Sequence, residues 1–146
     1  MFKKILLPVD MQDKKTARTA LLECRRFLSE GAELHVMAIL PGLNMPLVAA
    51  YFPNDTLEKA LYGLQRELHQ LIADSLPDLK GCHEHIGEGN PAREITKLAK
   101  QLRVDLILMP SHNYTRVENI LIGSVTSKVV ERAHCSVMVL RESKKE

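Results

Sequence analysis

The residues that follow the fourth apolar run of this chain are suited to holding an anion. Residues 106–125 read LILMPSHNYTRVENILIGSV, where a strand-like run leads through a polar segment into a predicted helix that opens on Gly123 and Ser124. The first amides of a helix lack intrahelical acceptors, and the helix dipole favours negative charge there. Thr126 adds a second hydroxyl. This arrangement predicts a phosphate site and hence a nucleotide-binding domain.

Further charged side chains stand near the same predicted site. Asp10 ends the first apolar run, and because an unpaired buried carboxylate is costly, a binding role is the stronger interpretation. The alternative is that Asp10 caps the first helix. His112 and Arg116 could supply positive charge to a ligand; the alternatives are a solvent-facing loop histidine and a surface cation.

Other reactive residue types do not form a convincing catalytic or metal set. His83 and His85 lie on one face of a predicted strand, but two ligands without an evident third make a weak metal site, so we expect a polar sheet edge and no metal. Cys24, Cys82 and Cys135 form no CxxC pair and indicate neither a disulfide framework nor a zinc site. No paired carboxylates and no Ser-His-Asp set stand out. We therefore predict no catalytic residue.

The composition disfavours binding to nucleic acids and insertion into a membrane. Twenty basic and eighteen acidic residues give a net charge of +2, and there is no tryptophan. Without a basic stripe or stacking platforms, DNA and RNA binding are disfavoured. No apolar run approaches the roughly 20 residues that span a bilayer. The opening MFKKILLPVD is typical of a first strand rather than a signal peptide, so a reduced, cytoplasmic setting is expected.

The apolar runs predict a sheet. The buried-strand candidates are Ile5–Val9, Leu34–Leu40, Leu106–Met109 and Val137–Leu140, and a more polar fifth strand around His83–Ile86 suits a sheet edge. Helical patterns alternate with these runs. Residues 1–146 therefore predict one α/β domain, a doubly wound parallel five-stranded sheet with helices on both faces.

The helices carry their own boundary signals. The first stripe runs from Ala17 to Leu28, with Gly31 positioned to end the helix. The second, a leucine stripe best explained by packing on the sheet, follows a capping signal at Asp55 and Glu58. The third has Asn90 as its cap and Pro91 at its first position. The fourth stripe is Val125, Val129 and Ala133.

A strand order of 3-2-1-4-5 would place the switch point between strands 1 and 4, where ligands bind in sheets of this kind. Asp10, Ile39 and the segment from Met109 to Asn113 would converge there. Two long connections, Pro41–Pro53 and Pro110–Ile122, leave the same edge, and loops of that length are usually functional. The first is apolar with three prolines, which indicates a lid or a partner surface.

The usual phosphate fingerprints GxxxxGK[ST] and GxGxxG are absent, which disfavours a P-loop NTPase and a dinucleotide-dependent dehydrogenase. Instead, the chain resembles the universal stress protein family over essentially its full length. In that family the first strand ends in Pro-x-Asp, the fourth runs into Gly-x-x-Gly, and Gly-Ser or Gly-Thr opens the last helix nine residues later. Here the matching segments are Pro8–Asp10, Pro110–Asn113 and Gly123–Ser124, followed by the closing strand CSVMVLR.

The resemblance implies a site for ATP or AMP, with or without Mg²⁺. Asp10 and the backbone at Ile39 would contact the adenosine part, while the segment after strand 4 and the start of the last helix would hold ribose and phosphates. The expected binding residues are Pro8, Val9, Asp10, Ile39, Met109, Ser111, His112, Asn113, Arg116, Gly123, Ser124, Val125 and Thr126.

The chain departs from the family at both glycines of Gly-x-x-Gly. Pro110 has no amide to donate, whereas Asn113 is the non-glycine residue that best tolerates the left-handed region. The resemblance therefore implies a phosphate site that is modified but still present. The Ser-His pair at this place is similar to the branch typified by the F and G members, which lack the double glycine and are still associated with nucleotides.

The last strand would leave an unpaired sheet edge unless a two-fold partner covers it, and the resemblance also implies a homodimer. We expect a cytoplasmic stress-response protein that binds ATP or AMP as a regulatory dimer and acts on a regulatory protein partner. It is not expected to be an enzyme, although slow ATP hydrolysis or phosphorylation at Ser124 or Thr126 would be consistent with the family. The alternative is an interaction module that has lost the nucleotide and works through the Pro41–Pro53 loop.

Overall fold

In the computed structural model, the described residues are 2–41, 54–111 and 123–141. Within them, five strands alternate with four α-helices. The strands are β1 (Lys4–Val9), β2 (Glu33–Pro41), β3 (Cys82–Gly89), β4 (Leu106–Pro110) and β5 (Ser136–Leu140). The helices are α1 (Lys14–Cys24), α2 (Asn54–Ser75), α3 (Pro91–Leu102) and α4 (Ser124–Arg132).

The strands form one sheet in the order β3-β2-β1-β4-β5, and every pairing is parallel. The predicted order is therefore confirmed, as is the place of the polar third strand at an edge. Since β1 pairs with β2 on one side and β4 on the other, the carboxyl ends of these three strands meet at one edge of the sheet.

Helices cover both faces of the sheet, as the unbroken apolar runs predict. Ile5 and Leu7 of β1 pack in a core cluster with α1 and α2 residues, of which Leu68 is fully buried. Leu6 points to the other face and packs in a second cluster with Ile95 of α3 and Val129 of α4. The central strand is apolar on both sides because each side contacts a layer of helices.

The start of α3 is fixed by its sequence as predicted. The side chain of Asn90 accepts a hydrogen bond from the Arg93 amide at 3.1 Å, and Pro91 occupies the first turn. At the other end of α3, Arg103 adopts a left-handed backbone with φ of 56°. Side-chain capping and proline thus place the start of α3 directly after β3.

Two predicted helix boundaries are wrong. Helix α1 ends at Cys24 and is followed by a 3₁₀ turn, Arg25–Phe27, so Gly31 does not end it. Gly31, with φ of 78°, instead lies in the turn before β2, where the Ala32 amide donates to the Ser29 carbonyl. Helix α2 begins at Asn54, which places Asp55 in the first turn rather than at the N-cap.

The cysteines are free thiols, as the sequence predicts: Cys24 is buried, whereas Cys82 and Cys135 are half-buried. Burial raises the pKa of Cys24 to about 12 and that of Cys82 to about 11, so neither is an activated nucleophile. No helix among residues 2–41, 54–111 and 123–141 combines the length and apolarity required to cross a membrane.

The contact between α2 and the sheet can be tested with matched leucines. We expect Leu68→Ala to lower the free energy of unfolding by about 2–5 kcal/mol, because it leaves a cavity at a fully buried position. Leu22, on α1, is 47% exposed, so Leu22→Ala should change stability by less than about 0.5 kcal/mol. Urea unfolding followed by circular dichroism measures both. Equal effects would contradict the described packing of α2.

Candidate functional site

A cleft with a volume of about 330 Å³ opens at the carboxyl edge of the sheet. It lies beside the ends of β1, β2 and β4 and the first turns of α1 and α4. Its described lining residues are Pro8, Val9, Asp10, Met11, Gln12, Asp13, Thr16, Ala17, Ile39, Leu40, Leu64, Pro91, Ile95, Met109, Pro110, Gly123, Ser124, Val125 and Thr126. The predicted switch point between strands 1 and 4 is therefore where the cleft lies.

The first turn of α4 lines this cleft, and among residues 2–41, 54–111 and 123–141 no acceptor is seen at its N-cap. Gly123 is the N-cap residue, and in the described residues no side chain caps the helix. The first helical hydrogen bond runs from the Ser127 amide to the Gly123 carbonyl at 3.0 Å. The amides of residues 123–126 thus have no intrahelical acceptor, and together with the helix dipole they favour an anion.

The space beside Gly123 is open as well. A Cβ atom built on this glycine would meet no heavy atom of the described residues within 4 Å, and its backbone angles, φ −53° and ψ 156°, suit any residue. Glycine is therefore not required here by the local fold. Its small size leaves the end of α4 accessible from the cleft.

The first turn of α1 is different, because it has a side-chain cap. Asp13 is the N-cap residue, and its carboxylate accepts hydrogen bonds from the Thr16 amide at 3.2 Å and from the Thr16 hydroxyl at 2.7 Å. Lys14 and Lys15 follow Asp13, so this turn carries charges of both signs. The carboxylates of Asp10 and Asp13 form the acidic side of the cleft, and the first turn of α4 is the side that favours an anion.

Asp10 lies on the acidic side of the cleft. Its side-chain Oδ1 accepts from the Gln12 amide at 2.9 Å, and its carbonyl accepts from the Asp13 amide at 3.1 Å. The cap of α1 is Asp13, so the interpretation of Asp10 as the N-cap of the first helix is wrong. The exposed Asp10 carboxylate borders the cleft, where it could accept hydrogen bonds from ligand hydroxyls.

Pro110, at the end of β4, lines the cleft, whereas the residue after it is tied to β5. Pro110 has no amide proton and lies opposite Leu140 in the strand register. The next residue, Ser111, donates its amide to the Leu140 carbonyl at 2.9 Å and its hydroxyl to the same oxygen. The structure therefore places Ser111 outside the lining of this cleft, contrary to the position expected from the sequence.

The structure brings most of the predicted site residues together at the cleft, and three others lie outside the described residues. Those that line the cleft are Pro8, Val9, Asp10, Ile39, Met109, Gly123, Ser124, Val125 and Thr126. The predicted contacts at His112, Asn113 and Arg116 lie outside the described residues, as does the loop segment 42–53. Thr126 is buried, whereas Ser124 is exposed.

The sequence reasoning missed the cleft residues that α1 and α3 contribute, such as Asp13, Thr16 and Ile95. A signal for the first two was present. Only a short link separates β1 from α1, so the first turn of α1 must stand at the same edge as Asp10. For Ile95, the sequence carried only a core-facing apolar pattern.

The polar edge predicted at His83 and His85 is confirmed, because β3 is an edge strand. His35 of β2 lies opposite His83, and Glu33, His35 and His83 bring their ligand atoms within 4.8 Å of one another. This group differs from the pair that the sequence offered, since it omits His85 and adds two residues of β2. The expectation of no metal at this edge stays a prediction.

Comparison with known proteins connects these features to one family. The model of the universal stress protein family matches residues 1–141. Universal stress protein MJ0531 of Methanocaldococcus jannaschii is 30% identical over 149 residues, which cover 100% of this chain and 86% of that protein. The solved structure of protein MJ0577, from the same organism, superposes with a TM-score of 0.78 at 27% identity and covers 99% of both chains.

Two more distant structures share the fold and contain nucleotides. A universal stress protein in complex with cAMP is 17% identical with a TM-score of 0.62, covering 96% of this chain and 97% of its own. The universal stress protein of Archaeoglobus fulgidus in complex with dAMP is 18% identical with a TM-score of 0.60, covering 94% and 97%. From the family match over residues 1–141 and the agreement of the whole fold, this chain belongs to the universal stress protein family.

Proposed function

We propose that this protein binds an adenine nucleotide, ATP or AMP, in the cleft at the carboxyl edge of the sheet. The observation that carries the proposal is the first turn of α4, whose residues 123–126 line the cleft and which has no side-chain cap in the described part of the chain. The apolar walls formed by Val9, Ile39 and Met109 suit a base, since ligand sites combine apolar lining with a few polar groups.

The solved relatives support adenine as the base. The family members with cAMP and dAMP each hold a nucleotide with a single phosphate group. One phosphate requires only a few amides, and the first turn of α4 offers four. In this proposal Asp10 accepts hydrogen bonds from the ribose hydroxyls. The phosphate is held by the first turn of α4, which consists of Gly123, Ser124, Val125 and Thr126.

The altered loop removes donors from one side of the phosphate. Pro110 has none, and the Ser111 amide is committed to Leu140. Phosphate binding would therefore depend on α4, with any contribution from His112, Asn113 and Arg116 added to it. Mg²⁺ prefers oxygen ligands, and the carboxylates of Asp10 and Asp13 border the cleft, so an Mg²⁺ ion that accompanies the nucleotide would bind on the α1 side rather than at the first turn of α4.

We propose binding rather than catalysis as the main activity. Among the described lining residues, the carboxylates of Asp10 and Asp13 already accept hydrogen bonds from backbone amides, and no histidine, lysine or cysteine joins them. If the nucleotide slowly transfers a phosphoryl group to the protein, the exposed hydroxyl of Ser124 is better placed than that of the buried Thr126. Membership of the F and G branch stays a prediction.

A homodimer through β5 completes the proposal. In the described part of the chain, β5 pairs with β4 alone, and its residues Val137 to Leu140 are half-buried. Met138 and Leu140 pack on one core cluster and Val137 on the other, whereas Val139 belongs to neither. An apolar edge residue without a place in the core suits a two-fold contact. Nucleotide occupancy would then regulate the dimer or a protein partner, in the cytoplasm, where free thiols persist.

The second candidate function is an interaction module that does not bind nucleotide. The observation that favours it is the loss of two backbone donors at Pro110 and Ser111. The Pro41–Pro53 loop, which would serve the partner, lies outside the described residues from position 42 onward. Calorimetric titration with ATP and AMP distinguishes the two functions, because the module should show no heat of binding.

Replacing Asp10 tests the ribose side of the site. We expect Asp10→Ala to weaken AMP binding about 10- to 100-fold, because losing a hydrogen bond to a charged group costs about 1.5–3 kcal/mol. Isothermal titration of nucleotide-stripped protein measures the change, with Asp78→Ala, an exposed carboxylate outside the cleft, as the control. Unchanged affinity in Asp10→Ala would remove Asp10 from the site. No binding by the parent protein would favour the interaction module.

Replacing Gly123 tests the phosphate side without disturbing the fold. Because a Cβ atom at this position would meet no atom of the described part of the chain, Gly123→Val should fold normally but obstruct the approach of phosphate to α4. We expect binding of AMP and ATP to fall below detection while the melting temperature is retained. Gly63 of α2 is also surrounded by open space, and Gly63→Val is the matched control. A folded Gly123→Val protein with normal affinity would exclude the first turn of α4 as the phosphate site.

The dimer is tested at the edge strand. A lysine at the non-core position Val139 should add charge to the contact, so we expect sedimentation velocity to show a dimer for the parent protein and a monomer for Val139→Lys. Val130 of α4 is 51% exposed, and Val130→Lys is the control for an added lysine elsewhere. Dimers of unchanged stability in Val139→Lys would mean that β5 is not the contact.

A further inference from the structure

Three histidines and a glutamate gather near the amino end of the sheet, far along the strands from the nucleotide cleft. Glu33 and His35 belong to β2, and His83 and His85 belong to β3. In the parallel register His35 lies opposite His83, and Met37 lies opposite His85. Since side chains opposite one another on neighbouring strands share a face, this group lies on the face where Met37 packs under α3.

The distances within this group suit a shared ion. Glu33, His35 and His83 each offer one ligand atom, and these atoms all lie within 4.8 Å of one another. His35 Nε2 is 3.3 Å from Glu33 Oε2. Two ligands at about 2.0–2.1 Å from a tetrahedral zinc ion stand roughly 3.4 Å apart, so this pair is already at the required separation.

His83 has to rotate its ring to join that pair, because stacked imidazoles direct their nitrogen lone pairs along parallel planes. Its imidazole stacks on that of His35, with ring centroids 4.6 Å apart and an angle of 15° between the planes. His83 is an exposed residue at the sheet edge, so its side chain has room to turn towards His35. The stack therefore holds the second imidazole beside the first.

His85 is placed to orient His35. Its Nε2 lies 2.8 Å from His35 Nδ1, and one proton is shared across that contact. A carboxylate only accepts hydrogen bonds, so the contact with Glu33 places a proton on His35 Nε2 when no metal is bound. A cation at Nε2 takes the place of that proton, and His35 then donates from Nδ1 to His85. A metal-binding histidine that donates from its other nitrogen is the usual arrangement around protein metal sites, and it fixes the tautomer of the ligand.

A positive charge, that of Lys4, also lies beside Glu33. Lys4 Nζ lies 3.8 Å from Glu33 Oε2, and an ammonium group opposes a bound cation. However, Lys4 Nζ is closer to the Leu102 carbonyl, at 3.1 Å, so it keeps a partner if Glu33 turns to a metal. Leu102 is the last residue of α3, and the carboxyl end of a helix favours positive charge.

We propose that Glu33, His35 and His83 bind a divalent transition-metal ion of the zinc type, with solvent in the fourth position. His85 is a positioning residue that acts through His35. Two imidazoles and one carboxylate suit Zn²⁺ and its neighbours rather than Mg²⁺ or Ca²⁺, which prefer oxygen ligands alone. The site is independent of the nucleotide cleft, since it lies at the opposite end of β2.

The test is a metal titration of the full-length protein after treatment with chelator. Zn²⁺ competition against a chromophoric chelator should show one ion per chain, and Co²⁺ should give the strong visible absorption of a tetrahedral site. We expect His85→Gln to weaken Zn²⁺ binding about 10- to 100-fold, as the loss of a second-layer partner does. His83→Gln and Glu33→Gln, which remove direct ligands, should weaken it more.

Matched controls separate this site from surface binding. His69 is 71% exposed on its side chain, and His134 is also exposed, so His69→Gln and His134→Gln should bind Zn²⁺ as the parent does. Zn²⁺ should raise the melting temperature of the parent but not that of His83→Gln. The proposal is overturned if His83→Gln and Glu33→Gln keep parental affinity, or if the controls lose as much. Because Glu33 and His83 are not core residues, the outcome does not depend on substituting the buried His35.

Discussion

The burial of β1 between β2 and β4 is the constraint on which the rest of the molecule depends. Ile5, Leu6 and Leu7 are fully buried, because helices cover both sides of the strand. Helices α1 and α2 pack on one face of the sheet, and helices α3 and α4 pack on the other face. Right-handed crossovers require this change of face where the strand order reverses. The reversal leaves a gap between the first turns of α1 and α4, and the cleft occupies that gap.

The two helices that border the gap differ in how they begin. The carboxylate of Asp13 caps the first turn of α1, whereas the first turn of α4 begins at a glycine that supplies no such acceptor. An unpaired amide that loses contact with water is costly, so a phosphate bound at α4 gains from every amide that it satisfies. The cleft is thereby polarised, and an anion has one preferred end. A ligand with hydroxyls at one end and phosphate at the other matches this polarity.

The sequence was sufficient for the architecture and for the strand-end residues of the cleft. The spacing of apolar residues indicates which positions are buried, so runs such as Ile5–Val9 identified the strands. The predicted strand order then placed the residues at strand ends, such as Asp10 and Ile39, at the cleft. Helix ends were harder, because α1 stops where a 3₁₀ turn carries Phe27 onto the core, and Gly31 alone could not reveal this. The cluster around His35 was missed for a similar reason. It depends on the register between β2 and β3, which periodicity along a single strand does not specify.

Pro110 shows why a change in a family motif can leave the fold intact while it alters the site. It stands at the last position of β4, where the absence of an amide proton removes no described ladder bond, and Ser111 continues the connection to Leu140. Two backbone amides that this loop could otherwise offer to a ligand are therefore not available. Pro110 has no amide proton, and the Ser111 amide donates to Leu140 of β5. Among the described residues, the capacity to hold phosphate is concentrated in α4. This concentration favours a nucleotide whose negative charge lies near one helix end over one whose charge extends along the whole edge of the sheet.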